Sequence, residues 1–347
     1  IRLSLVGSEM CIRDRNTSGN SFLNDENVWR WMLGVEFIPA IMYFLFMFFV
    51  PKSPRWLCSR GKMNEAKVVL NQLYGEQLAK VEIESIEKNI NESQKQEKVS
   101  ILELLKPSLR FILIVGLVLG VLQQITGINA VYFYATSIFK QTGIGTDASF
   151  ASGILLSLTT VVFTIIAIFL IDKMGRRPLL LVGIAGIAVS LLVCAYGFNQ
   201  ATYQLSSEEI AQFETIESSK LEAFANKTYD NDIDFKNDMK SALGNQVYAK
   251  NEGAILEAAT NINATLVLIG ILGFIACFAF SLGPVMWVML SELFPNKYRG
   301  LAIGVIGFVN SFISWLVQQV FPWELSNLGN AMSFLIFGVI AVGGFFI

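Results

Sequence analysis

The chain has 347 residues, 53% of them hydrophobic and only 16% charged, with a mean hydropathy of +0.53; soluble domains carry roughly a quarter charged residues. A formal net charge of −2 gives no electrostatic footprint for nucleic acid. There is no histidine, which excludes His-based triads, His metal ligands and His proton relays, so proton chemistry falls to carboxylates.

Apolar residues come in blocks of about 20, the length that crosses ~30 Å of hydrocarbon. This predicts an all-α polytopic membrane protein. Residues 1–15, IRLSLVGSEMCIRDR, do not read as a signal peptide, because the apolar part is too short and arginines follow it. GSEMCIRDR resembles a translated sequencing linker, so 1–15 is expected to be an artefact. Residues 16–50 read as an outer loop and a first span from about Trp29 to Val50. Glu36 lies inside that span and is the one carboxylate in any span core. Pro51-Lys52-Ser53-Pro54-Arg55 stops the helix, and 51–108 reads as a polar domain of short helices, rich in Lys and Arg and therefore cytoplasmic.

Residues 109–197 hold three further spans, at about 109–139, 149–171 and 179–197. The first is interrupted at Thr126-Gly127, with Thr142-Gly143 a second weak point. Asp172-Lys173-Met174-Gly175-Arg176-Arg177-Pro178 forms a basic cytoplasmic turn. Residues 198–263 carry eleven Asp or Glu against five Lys and no Arg, and alternation of spans places them outside. The plain expectation is a solvated lid or an insertion of short helices. Residues 264–347 hold three more spans, at about 264–290, 301–321 and 331–347, with a break expected at Gly283-Pro284 in the first of them. The four cysteines, Cys11, Cys58, Cys194 and Cys277, have no metal-like spacing. No initiating Met is present and the chain stops within an apolar run, so a fragment is expected.

Two interrupted spans carry polar or aromatic groups beside the break, as secondary transporters do at their substrate sites. Gln123, Gln124 and Asn129 flank Thr126-Gly127, where a lipid-facing helix has no partner for an amide. Side-chain amides donate and accept as sugar hydroxyls require. Trp287 offers an apolar ring face and an N–H. Against this stands helix–helix packing, in which polar residues serve as glue, or an interfacial anchor in the case of Trp287. Glu36 reads as a proton carrier or as a static hydrogen-bond partner. Arg176 or Arg177 is expected to pair with Glu292, clamping two spans on the cytoplasmic side.

PKSPRWL, QQITGINAVYFYATSIF, DKMGRRP and GPVMWVMLSELFPNKYRG resemble, in order and spacing, signatures of the sugar porter family of the major facilitator superfamily. The resemblance implies a C-terminal six-helix bundle preceded by helix 6 and an intracellular helical domain, with the N-terminal bundle missing from this chain. It also implies sugar contacts at Gln123, Gln124, Asn129, Phe278, Trp287 and Asn310. A cytoplasmic gate is implied at Arg55, Asp172, Arg176, Arg177, Glu292 and Arg299. The chain departs from the pattern at Phe133-Tyr134, at Thr160, at Ser311 and at Lys52, where the family has Glu. The context WMLGVEFIPA resembles bacterial proton–xylose symporters and implies proton coupling at Glu36. The resulting expectation is a plasma-membrane (inner-membrane), multi-pass monosaccharide transporter working by alternating access, with sugar:proton symport. A passive facilitator is the first alternative and a transporter-like sugar sensor the second. No enzymatic activity, metal or cofactor is expected beyond the proton; the partners are a sugar, the bilayer and the chain's own N-terminal bundle.

Overall fold

The computed structural model describes residues 34, 37–94, 100–140, 146–211 and 218–346. They fall into two compact units, one comprising residues up to 110 with 294–302 and the other comprising 111–293 with 303 onward.

In the first unit, α1 (Phe37–Met47) is apolar throughout. It is followed by α2 (Pro54–Ser59), α3 (Met63–Tyr74) and α4 (Glu76–Gln94). Pro54 opens α2, where its missing N–H costs nothing. Leu57, Ala66, Leu70, Ala79, Ile83 and Ile86 form a small core among α2, α3 and α4, matching the helical spacing read from 51–108.

The second unit holds most of the apolar helices: α5 (Pro107–Ile125), α6 (Ile128–Lys140), α7 (Thr146–Met174) and α8 (Arg176–Asn199). After an inserted segment come α13 (Ala264–Phe280), α14 (Leu282–Leu293), α15 (Asn296–Asn327) and α16 (Gly329–Phe345). Among the described residues, five stretches are long and apolar enough to cross a membrane: Pro107–Ala135, Ser152–Met174, Arg176–Asn199, Ala264–Leu293 and Asn296–Asn327. The apolar helices α1 and α16 are shorter. The central helix is α8, which packs against α13 on one side and α16 on the other. Small residues permit the approach: Gly183 meets Ser281, Gly186 meets Cys277, and Gly270 meets Cys194. Such contacts let helix backbones close up where no hydrophobic force drives association. The Phe198 and Phe334 rings stack at 5.4 Å across α8 and α16.

Between α8 and α13, the described residues of 200–263 form a small domain with its own core, built on Tyr203, Leu221, Phe235, Met239, Tyr248 and Ile255. Its elements are a two-residue strand Thr202–Tyr203, short helices α9 (Ser207–Ala211) and α10 (Ser218–Leu221), α11 (Asp232–Leu243), α12 (Asn245–Ala259), and a returning strand Thr260–Asn261. The two strands pair antiparallel, Thr202 with Asn261 and Tyr203 with Thr260, and so close the insertion at its base. Short helices were expected; the buried core and the closing ribbon were not.

Candidate functional site

The candidate site is built on the joint between α5 and α6. Helix α5 stops at Ile125, and Thr126 Oγ1 donates back to the Gln123 carbonyl at 3.0 Å. Gly127 takes φ +82°, which L side chains rarely adopt, and α6 restarts at Ile128. This interruption lies at the Thr126-Gly127 position expected from the sequence.

The second interruption differs from expectation by two residues. It falls at Ser281, not at Gly283-Pro284. Ser281 has φ −124° and ψ −97°, and its Oγ donates to the Cys277 carbonyl at 2.6 Å. Pro284 sits in the first turn of α14, where no intrahelical donor is lost, so proline starts the second half instead of breaking the first.

Amide side chains link α5, α6, α14 and α15. Gln123 Nε2 donates to the Leu282 carbonyl at 2.9 Å, tying α5 to the start of α14. Asn310 Nδ2 donates to Gln123 Oε1 and to the Gly120 carbonyl, both at 2.8 Å. Gln124 Nε2 donates to Asn310 Oδ1 at 3.1 Å. Asn129 Nδ2 donates to Gln124 Oε1 and to Ser314 Oγ, both at 2.8 Å. Gln123, Gln124 and Asn310 are buried, Gln123 at 4% exposure. Their apolar setting makes each bond costly to leave unmade.

Two cavities adjoin this network. One, of about 500 Å³, is lined by Asn129, Tyr132, Thr160, Phe278 and Pro284 among others. Tyr132 OH and Thr160 Oγ1 lie 2.8 Å apart on its wall. The other, of about 350 Å³, is lined by Gln124, Asn129, Asn310, Ser314 and Gln318 among others. Asn129 reaches both. Of the expected sugar contacts, Gln124, Asn129, Phe278 and Asn310 therefore line a cavity. Gln123 is buried behind them, bracing the network. Trp287 lines neither cavity; it is 42% exposed and lies beside Gly307 of α15. Ser314 and Gln318 belong to the network without having been singled out from sequence. Their spacing from Asn310, one and two helical turns along an apolar helix, was the available signal.

Of the expected gate residues, Arg176 and Glu292 meet as a two-point fork: Nε to Oε2 at 3.0 Å and Nη2 to Oε1 at 2.6 Å. Asp172 Oδ1 lies 3.5 Å from the same guanidinium, and Arg176 Nη1 donates to the Ile171 carbonyl at 3.2 Å. Arg177 is exposed and makes no ion pair among the described residues. Arg299 Nε donates to the Phe294 carbonyl at 3.3 Å. Glu36 and the Arg55 side chain lie outside the described residues. The fork is 32% exposed at Arg176 and 46% at Glu292, so Arg176→Lys should cost less than about 1 kcal/mol in unfolding measurements. A larger loss would mean that the pair is shielded from solvent in the working protein.

Apolar helices interrupted part-way along, with convergent amides at the breaks and a charged fork at one helix end, are the features of a secondary-transporter bundle. The family model described as "Sugar (and other) transporter" matches residues 10–216 and 242–347, and the chain belongs to that family. It is therefore a multi-pass membrane protein of a transporter family, not of an enzyme family. Among relatives, it is 32% identical to the arabinose-proton symporter of Bacillus subtilis, over 90% of this chain and 54% of that one. It is 29% identical to the D-xylose-proton symporter of Escherichia coli, over 93% of this chain and 53% of that one. It is 30% identical to probable inositol transporter 2 of Arabidopsis thaliana, over 93% of this chain and 61% of that one. A solved structure of a proton:xylose symporter of the major facilitator superfamily, bound to 6-bromo-6-deoxy-D-glucose, superposes with a TM-score of 0.66. That match has 26% identity and covers 98% of this chain and 59% of the other. The chain thus has the all-helical fold of that superfamily and spans little more than half the length of its relatives.

Proposed function

We propose that this chain is the C-terminal part of a monosaccharide transporter that works by alternating access and couples sugar to protons. The observation that carries the sugar site is the amide network at the helix breaks. Gln124, Asn129 and Asn310 face cavities and hydrogen-bond one another. A sugar hydroxyl both donates and accepts, so it can replace such a bond without stranding either amide. Phe278 and Tyr132 supply apolar surface for the C–H face of the ring. In this reading 51–108 is cytoplasmic, the insertion is extracytoplasmic, the Arg176–Glu292 fork gates the cytoplasmic side, and the protein resides in the plasma membrane. The proton assignment rests on Glu36, a carboxylate within an apolar run, and on relatives named as proton symporters.

The deciding experiment reconstitutes the full-length transporter in proteoliposomes and measures uptake of radiolabelled D-xylose, L-arabinose and myo-inositol, with and without an imposed pH gradient. Gradient-driven accumulation is expected for at least one sugar. Glu36→Gln should abolish accumulation and leave counterflow. Uptake indifferent to the gradient leaves a passive facilitator, and no uptake at all overturns the reading. Gln123→Ala should weaken sugar binding by about 1–3 kcal/mol, because Asn310 and the Leu282 carbonyl each lose a partner beside the cavity. Unchanged affinity in that variant would return the network to a packing role.

A further inference from the structure

A third cavity, of about 580 Å³, opens where the insertion meets the end of α8 and the start of α16, and it shares no residue with the two beside the amide network. Part of its lining is apolar: Leu192 and Tyr196 of α8, Met332 and Leu335 of α16, and Phe198, whose ring stacks on Phe334. The rest is polar, from Asn199 at the end of α8 and from Asp230, Asn231 and Asp232 of the insertion. The apolar lining continues past the cavity. Val189 lies three and seven residues before Leu192 and Tyr196, and Val339 lies seven and four after Met332 and Leu335, so each set shares one helix face. All six side chains are exposed, and Leu192 sits against Gly338 of α16. The two faces therefore join into one apolar strip that runs away from the insertion, roughly 10 Å from Met332 to Val339. Charge at the polar end has one sign. No Lys or Arg lines the cavity. Asp232 is neutralised by Lys236 at 2.9 Å, whereas Asp230 is exposed and makes no side-chain hydrogen bond or ion pair among the described residues. The carbonyl end of α8 adds partial negative charge beside it.

An apolar strip on neighbouring membrane helices, with a solitary carboxylate at its outer end, fits a molecule with a long hydrocarbon tail and a cationic head. We propose that this groove binds a zwitterionic phospholipid, with an acyl chain along α8 and α16 and the headgroup ammonium between Asp230 and Asn199. An ammonium beside Asp230 gains a charge-assisted contact, while a headgroup of net negative charge meets only like charge there. The lipid would touch the insertion and both helices at once, and so hold the insertion against the bundle. The inference needs only a bilayer around α8 and α16, so it stands or falls separately from the sugar reading.

The test titrates the detergent-solubilised full-length protein with dioleoyl phosphatidylethanolamine, phosphatidylcholine or phosphatidylglycerol and reads bound lipid by native mass spectrometry. The first molecule of either zwitterionic lipid should bind about tenfold more tightly than the first phosphatidylglycerol, the scale of one charge-assisted contact. Asp230→Asn keeps the shape of an exposed side chain that makes no bond, so it should fold, and it should erase that preference. Hydrogen exchange in the wild type should slow along 195–199 and 328–335 when phosphatidylethanolamine is added. Phosphatidylglycerol bound as tightly as the other two overturns the proposal. A preference that survives Asp230→Asn overturns it, and so does lipid protection confined to other parts of the chain.

Discussion

Gly127→Val is expected to destabilise the detergent-solubilised protein by about 2–5 kcal/mol and to abolish sugar binding. Two physical terms add. Gly127 has φ +82°, and a side-chain-bearing residue held there pays roughly 1–2 kcal/mol, more when β-branched. A Cβ at this position would also lie 2.7 Å from the Phe337 ring, and overpacking costs typically 1–3 kcal/mol. Phe337 cannot yield freely, because its ring stacks on Phe321 at 5.8 Å and is 4% exposed. The functional effect follows from geometry. Gln124 precedes the joint and Asn129 follows it, and their 2.8 Å bond depends on the turn between them. The two terms can be separated. Gly127→Ala combined with Phe337→Leu relieves the clash and keeps the strained φ, so it should recover part of the loss. Thermal unfolding followed by tryptophan fluorescence measures this, and full stability in Gly127→Val would show that the joint is not held in the left-handed conformation.

That joint was legible in the sequence because it breaks two local rules at once. Glutamines and an asparagine sit in an apolar run, and a glycine follows a threonine between them. The second interruption was misplaced by two residues because proline and glycine are loud signals and Ser281 is a quiet one. Its side chain sits against Gly183 of α8, a tertiary contact with no local trace. The Arg176–Glu292 fork was legible because two short basic turns end neighbouring spans and each also carries a carboxylate that an arginine of the other can reach. Asn310 came from the family resemblance alone; its partners Ser314 and Gln318 lay on the same helix face and could have been read from spacing. The fold of the insertion was hidden for a different reason. Its core residues, among them Tyr203, Phe235 and Tyr248, come from scattered short elements, and its many carboxylates swamp any periodicity. A domain held by non-local contacts leaves little pattern in any one window.

The insertion supplies the other large effect. Asp232→Ala should release it from the helical bundle at a cost of about 3–5 kcal/mol, the usual penalty for stranding one member of a buried ion pair. Asp232 Oδ2 accepts from Lys236 Nζ at 2.9 Å and from Asn330 Nδ2 at 3.1 Å. Asp232 is 7% exposed, Lys236 6% and Asn330 1%, so water cannot take over when the carboxylate goes. The insertion keeps its own core, so it should undock without unfolding. Hydrogen exchange should then rise along Gly329–Phe334 at the start of α16, with α5 and α8 still protected. Unchanged protection there would sink the anchor. A paired change, Asp232→Leu with Lys236→Met, removes both charges and should restore much of the docking, since apolar residues of similar volume replace such pairs well. The anchor and the joint share α16: Asn330 holds the insertion, and Phe337, seven residues on and roughly 10 Å along the helix, covers Gly127. Sites at that separation with no shared partner should add within about 0.5 kcal/mol. An Asp232→Ala, Gly127→Ala double variant that falls short of the sum would mean that α16 moves as one rigid piece, carrying the state of the insertion to the cavities beside Gly127.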